Sequence, residues 1–457
     1  MDVTPPGCDA GADPKDSPAC VASSFGIFVS ASAADDTGDG SKEHPVHKIA
    51  TALGKTSTAK SRVYICEGTY AEQVTLASTV SLYGGFDCGS WSYATKSVKV
   101  APTAAGIALS ITASDVTVED VEFDAKDGAA AGDSSIGAFV SNAQNVLFRR
   151  VTIMAGKGQS AVAAGSGNNY VAAAGPSGLA PTGVTGGVAS ANTCTNGNTS
   201  GGGAGGNGTL GQALGGNGAS NPTATSQVGF DGTAGSGGPT SCGTSPDPGA
   251  NGAAKPVASG ATRWGTLSAS GWSPATGSAG GAGNPGQGGG GGGGKTTPMV
   301  GGGSGGAGGC GGGGGAAGSG GGSSFALLSF SAFVKLDGCT LTASNAGAGG
   351  AGGIAQAGQK GGDFTASVAY CPAAFGGNGA GGGGGGGGAG GLSVAIGYVG
   401  TAPTKNATTS TQGAPGALGG AGTGAAGGDN LQGNPGPAGP SGTIGKAGMA
   451  ADVQDLS

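Results

Sequence analysis

Only two histidines, His44 and His47, occur in the 457 residues, both in the stretch HPVH. With so few imidazoles, Ser–His or Cys–His nucleophilic machinery is hard to assemble. Pro45 between them also spoils a helical i, i+3 ligand pair for a metal. The stretch DDTGDG offers Asp35, Asp36 and Asp39 as oxygen ligands for Ca2+, but it falls short of the DxDxDG pattern and lacks its distal glutamate. GGGGGGGKTT (288–297) meets the phosphate-loop pattern only as any glycine run before Lys-Thr would, and no strand precedes it. Trp91, Trp264 and Trp272, with Tyr93 and Tyr170, could stack on sugars. Trp264 and Trp272 are equally suited to anchoring the small-residue segment around them. No cofactor is expected, Ca2+ at the DDTGDG turn being the one candidate.

The nine cysteines, Cys8, Cys20, Cys66, Cys88, Cys194, Cys242, Cys310, Cys339 and Cys371, contain no CxxC pair, so zinc spacing is absent. Each sits beside turn-type sequence, and glycine-rich chain gains from covalent closure, so disulfides and an exported protein are expected. Proximity and context favour Cys8–Cys20, Cys66–Cys88 and Cys194–Cys242. Cys310, Cys339 and Cys371 then supply one further bond and one leftover thiol. Buried free thiols in a cytosolic protein are the alternative.

Residues 25–155 must position these groups, and they read as β-structure. FGIFVS, RVYICEGTYAEQVTL and TVSLYGGFD are short β-branched or aromatic runs separated by Gly and Asp turns. Ile49, Ala52 and Leu53 are helically spaced before Gly54, which predicts a short capping helix. Beyond residue 105 a repeat emerges: GIALSITASDVTVEDVEFDA (106–125) aligns with IGAFVSNAQNVLFRRVTIMA (136–155) and SFALLSFSAFVKLDGCTLTA (324–343). A fourth copy of its first strand is GLSVAIGYVG (391–400). A unit of about 20 residues with two or three short strands is one coil of a solenoid, which buries its apolar face only by stacking on its neighbours. The alignment stacks Glu119 and Asp120 beside Arg149 and Arg150, then Asp337 and Gly338.

Composition bounds the rest. The chain holds 111 Gly and 22 Pro, only 10% charged and 5% aromatic residues, and a net charge of −6. No basic block exists to meet nucleic acid, and no apolar run is long enough to span a membrane. The polar, Pro-rich start carries no signal peptide, which is expected to have been trimmed or never present in this chain. Glycine recurs every third residue at Gly303, Gly306, Gly309, Gly312, Gly315, Gly318 and Gly321, again from Gly277 to Gly292, from Gly376 to Gly391, and from Gly433 to Gly448. Three residues per turn is the period of the extended left-handed helix, so glycine would line one edge and let neighbouring helices bond directly. The expected divisions are a Cys/Pro-rich leader (1–24), the capped N-terminal solenoid (25–155), a glycine insertion (156–323), a coil (324–343), a second insertion (344–390), and a last coil with a collagen-like run (391–457). All insertions leave from one corner of successive coils. Flexible linkers are the alternative reading of the same composition.

The repeat, with DDTGDGSKEHPVHKIATAL, VYICEGTYAEQVTL and SLYGGFDCGSW, resembles right-handed parallel β-helix proteins of the pectate-lyase-like superfamily. More narrowly, with the leader CDAGADPKDSPACV, it is similar to glycine-rich, lipoprotein-like exported proteins of myxobacteria. The resemblance covers roughly residues 8–160 and 324–400 and implies a secreted or outer-surface location. It also implies a polysaccharide-lyase reading, with Ca2+ on Asp115, Glu119, Asp120, Glu122 and Asp124 and a base from Arg149 or Arg150. Stacked opposite charges explain the same residues, and no second coil repeats the carboxylates. The expected fold is an all-β, right-handed parallel β-helix with an N-terminal capping helix and polyglycine II bundle insertions. The expected role is a non-catalytic structural or adhesive surface protein, forming a homo-oligomer or filament or binding a polysaccharide or other cell-surface ligand. A β-helix polysaccharide lyase or hydrolase and an ice- or carbohydrate-binding module are the rivals.

Overall fold

The computed structural model describes residues 4–209, 214–221, 232, 234–430 and 433–457. Three all-parallel sheets stack coil upon coil. The first holds seven strands: Gly26–Val29, Arg62–Cys66, Ser81–Phe86, Val116–Glu119, Val146–Arg149, Val334–Asp337 and Thr404–Asn406. The second runs Val74–Leu76, Ile107–Ile111, Ser135–Ser141, Ser324–Phe330, Ser393–Val399 and Ala450–Asp455. The third runs Gly68–Tyr70, Val98–Val100, Glu122–Asp124, Thr152–Met154, Thr340–Thr342 and Thr409–Thr411. Order in space follows order in the chain, which is the topology of a parallel β-helix solenoid.

In the first and third sheets the register matches the aligned repeat residue for residue. In the second it is one residue off, Ile136 pairing with Ile107 and with Phe325 where the alignment sets it against Gly106 and Ser324. Val116, Val146 and Val334 are partners in adjacent strands, as are Val118, Phe148 and Leu336. Phe123, Ile153 and Leu341 form a third column. All are buried, and removing each large side chain from water is worth about 1.5–3 kcal/mol. Between the first and third sheets the chain turns through a left-handed residue, Asp120 (φ 54°), Arg150 (φ 50°) or Gly338 (φ 64°). That turn fixes the corner of the coil.

The cap is smaller than the spacing suggested. Its helix is only Ile49–Gly54, six residues, with Ile49 and Ala52 buried. Lys48 offers no side-chain cap; instead the Glu72 carboxylate accepts the N–H groups of Ile49 (2.8 Å) and Ala50 (2.9 Å). Val46 bridges Val29 beside it, covering the first strand's open edge.

The glycine insertions leave the third sheet and return to the second, always at the same corner. Long stretches of them are extended and joined by backbone bonds at every third residue. Gly277, Gly280, Gly283, Gly286, Gly289 and Gly292 donate to the carbonyls of Gly318, Gly315, Gly312, Gly309, Gly306 and Gly303, two antiparallel runs at 2.8–2.9 Å. Gly306, Gly309, Gly312, Gly315, Gly318 and Gly321 in turn donate to residues 374 to 389 in parallel. Residues 283–294 and 376–397 are buried throughout. An added Cβ at Gly312 or Gly315 would lie 1.9 Å from a neighbouring carbonyl oxygen, so no side chain fits there.

Disulfides join Cys8–Cys20 and Cys66–Cys88. The expected Cys194–Cys242 bond is not formed. Cys194 pairs with Cys310 and Cys242 with Cys371, at sequence separations of 116 and 129. The short loop loses because the folded runs bring Cys310 back beside Cys194. Cys339 is the leftover thiol. It occupies the same place in its coil as Val121 and Val151, and burial pushes its thiol up.

Candidate functional site

The corner turns place Glu119, Asp120, Arg149, Arg150 and Asp337 on adjacent rungs. Arg149 Nη1 lies 2.9 Å from Glu119 Oε1, and Arg150 grips Asp120 through Nε (2.9 Å) and Nη2 (2.7 Å). Arg149 also reaches Asp337 at 3.5 Å, and Asn406 continues the ladder by donating to Asp337 at 2.7 Å. Asp13 was not legible in the sequence as a member. It arrives from the leader and meets Arg150 Nη2 at 2.5 Å. The leader is fixed nearby by Tyr64 Oη donating to Cys20 O (2.6 Å) and by Arg62 Nη2 donating to Ala10 O.

Four carboxylates thus face two guanidiniums, with Glu119 and Asp13 buried. Burial, reinforced by the neighbouring Asp13 charge, pushes the Glu119 carboxyl up to about 7. Burial opposes ionisation of Asp13 too, but the Lys15 N–H and the Arg150 guanidinium outweigh it and hold that carboxyl below its ordinary value. The signs then differ. Between about pH 4.5 and about pH 7 the folded chain holds the Glu119 proton more tightly than the unfolded chain, so this group's stabilisation falls as pH rises. The contribution of Asp13 is present above its unfolded value and fades only in stronger acid. Thermal unfolding is therefore expected to show a higher Tm at pH 5 than at pH 8, and Glu119→Gln should flatten that slope.

The other carboxylates once grouped with these also have partners. Asp115 accepts the Asn145 amide at 2.9 Å, and Glu122 and Asp124 pair with Lys99 at 3.1 and 2.6 Å. Asp35 accepts from Thr37, Asp36 from the N–H groups of His47 and Lys48, and Asp39 from Ser41, so the three organise turns. Among the described residues, no group of three or more His, Cys, Asp or Glu is arranged to hold a metal ion, and no helix is long and apolar enough to cross a membrane.

Trp91 is no sugar platform: it is 6% exposed, edge-on to Phe28, and donates Nε1–H to Lys42 O at 3.1 Å. Trp272 lies edge-on to Phe325 of the second sheet at 5.2 Å. Trp264 donates to Ala447 O at 2.8 Å beneath the Lys446 ammonium. Both geometries suit anchoring. Tyr170 donates to Ala357 O, and Tyr93 packs on Phe86. The glycine run before Lys295 is buried and bonded to chain carbonyls, leaving no phosphate cradle.

Sequence reasoning placed a last coil at 391–457 but missed the residues that close it. Lys405 continues the Phe148–Leu336 column and Ser410 the Ile153–Leu341 column, in positions that carry core residues elsewhere. Asp452 of the second sheet joins them: it takes Lys405 Nζ at 2.6 Å and the Ser410 hydroxyl. One residue from each sheet thereby closes the solenoid's end. The signal was present, because TKNATTSTQ (404–412) aligns with KLDGCTLTA (335–343). Ser410 gives its proton to a carboxylate held low by its Lys405 and Ser410 partners against the pull of burial, so the trio is a plug and not an activated nucleophile.

No family model, no curated protein and no solved structure matches this chain.

Proposed function

We propose that this is a non-catalytic structural protein of the cell exterior, of the glycine-rich β-helix class its sequence resembles. Its solenoid would be right-handed, the sense parallel crossovers almost always take. Its insertions would form a polyglycine II bundle that builds assemblies by lateral contact between copies. The observation that carries this reading is the period-three lattice of peptide bonds in chain almost free of side chains. Ordering glycine costs more backbone entropy than ordering any other residue. A lattice that offsets this cost is a material, and its outer runs are where a copy would add.

The run from Ala161 to Gly167 donates inward through Ala161, Ala164 and Gly167. Val162 and, further along, Val171 and Val188 stand 70%, 94% and 69% exposed. Exposed apolar side chains on these insertion runs are what a second copy would cover. Four disulfides favour an oxidising compartment.

Sedimentation velocity across a concentration series, with electron microscopy of the same samples, tests the role. Laterally joined particles are expected, and Val162→Asp with Val171→Asp and Val188→Asp should return monomers. Monomers of the natural chain at every concentration would remove the proposal.

A further inference from the structure

Four arginines occur in the chain. Arg149 and Arg150 are held by carboxylates, and Arg62 lies between the Phe25 and Tyr83 rings while donating to Ala10. Arg263 is different. Among the described residues it meets neither a carboxylate nor a carbonyl, although the chain as a whole is acidic.

Arg263 lines a cavity of about 590 Å³ formed within residues 259–278 of the first insertion. Two segments form its walls and are tied at both ends, by Ser278 N–H to Ser259 O (2.8 Å) and Ala275 N–H to Trp264 O (2.9 Å). Between those bonds the segments part. The wall is braced from behind by Gly260 N–H on Thr443 Oγ1 (2.7 Å), Ala261 N–H on Gly387 O and Gly277 N–H on Gly318 O. The opening is therefore preorganised by the lattice and not by a mobile loop.

Its remaining chemistry is hydroxyl. Thr262, Thr266, Ser273 and Thr276 line the cavity, and among the described residues none of their hydroxyls has a hydrogen-bond partner. Alongside, Lys446 holds its ammonium 3.5 Å from the centre of the Trp264 ring and has no acidic partner among the described residues. We infer that the Arg263 cavity binds an acidic sugar unit, with the guanidinium on its oxyanion and the four hydroxyls on the ring. The planar fork of arginine matches a carboxylate or a sulfate through two parallel bonds. Unpaired hydroxyls suit a polyhydroxylated ring, and the volume suits a unit or two of a chain. The site is independent of lateral assembly, since it lies on 259–278 and includes none of Val162, Val171 and Val188.

Isothermal titration of the full chain with oligogalacturonate, with a sulfated oligosaccharide and with neutral dextran oligomers tests it. The expected result is saturable binding of at least one acidic oligomer, at least about tenfold tighter than dextran and weakened by added salt. The carboxylated and sulfated arms name the source of the oxyanion. Arg263→Ala should lose about tenfold or more, Arg263→Lys should recover only part of it, and Thr276→Val should lose a smaller factor. Unchanged melting of the variants will show that the fold persists. Equal affinity for dextran, undiminished binding by Arg263→Ala, or no binding of either acidic oligomer would each overturn the assignment.

Discussion

Gly315→Val is expected to destabilise the hydrogen-bonded glycine runs by more than about 3 kcal/mol, at the upper end of what overpacking does. A Cβ there would sit 1.9 Å from Gly353 O and 2.9 Å from the Gly385 amide nitrogen, so both neighbouring runs must move. Displacement would break the bonds Gly315 makes, accepting from Gly280 and donating to Gly383. Neither backbone neighbour can swing aside as a flexible side chain would. Hydrogen exchange read over 277–322 and 347–391 should accelerate by two or more powers of ten. Gly165→Ala is the control: it lies in the same insertion, but its Cβ would meet nothing within 4 Å. That change should be neutral or stabilise by up to about 1 kcal/mol through the unfolded chain. Slow exchange retained in Gly315→Val, or fast exchange there in the natural chain, would refute a lattice held by threefold glycine.

Replacing the end plug by Lys405→Leu, Ser410→Val and Asp452→Val should turn a closed end into an adhesive one. The three substitutions carry the core columns through to the surface and remove inward-pointing charges, a device that keeps sheet edges from pairing. The strands Thr404–Asn406, Thr409–Thr411 and Ala450–Asp455 are the last in their sheets, so their outer backbone groups then face outward beside an apolar core. The opposite end is covered by the helix Ile49–Gly54 and Val46, so copies can meet only tail to tail. Such a contact is isologous and stops at two. Made in the Val162→Asp, Val171→Asp, Val188→Asp background to suppress lateral contacts, the triple variant should sediment as a dimer with a Kd of roughly 1 µM, about −8 kcal/mol. A strictly monomeric triple variant would show that the polar trio is not what keeps this end apart.

These two outcomes depend differently on sequence. The plug is written in the repeat: once 404–412 is laid under 335–343, Lys405 stands where Leu336 does. The same alignment foresaw the stacking of Glu119 with Arg149 and Asp337, because coil length and two-residue alternation are local properties. Asp13 escaped it, being separated from Arg150 by 137 residues and belonging to no repeat. Trp91 escaped it too, since an aromatic in a turn reads alike whether it faces solvent or, as here, Phe28.

The amino-acid sequence by itself determined the coil, the columns that fill it, the corner from which every insertion leaves, and the threefold glycine edge. Tertiary structure decided which glycine run lies beside which, and with it the Cys194–Cys310 and Cys242–Cys371 bonds and the place of Arg263, without a partner among the described residues. The physical reason is degeneracy. Sliding a glycine run by three residues presents an identical edge, so runs without side chains carry no register of their own, and only the coils and disulfides at their ends can set it.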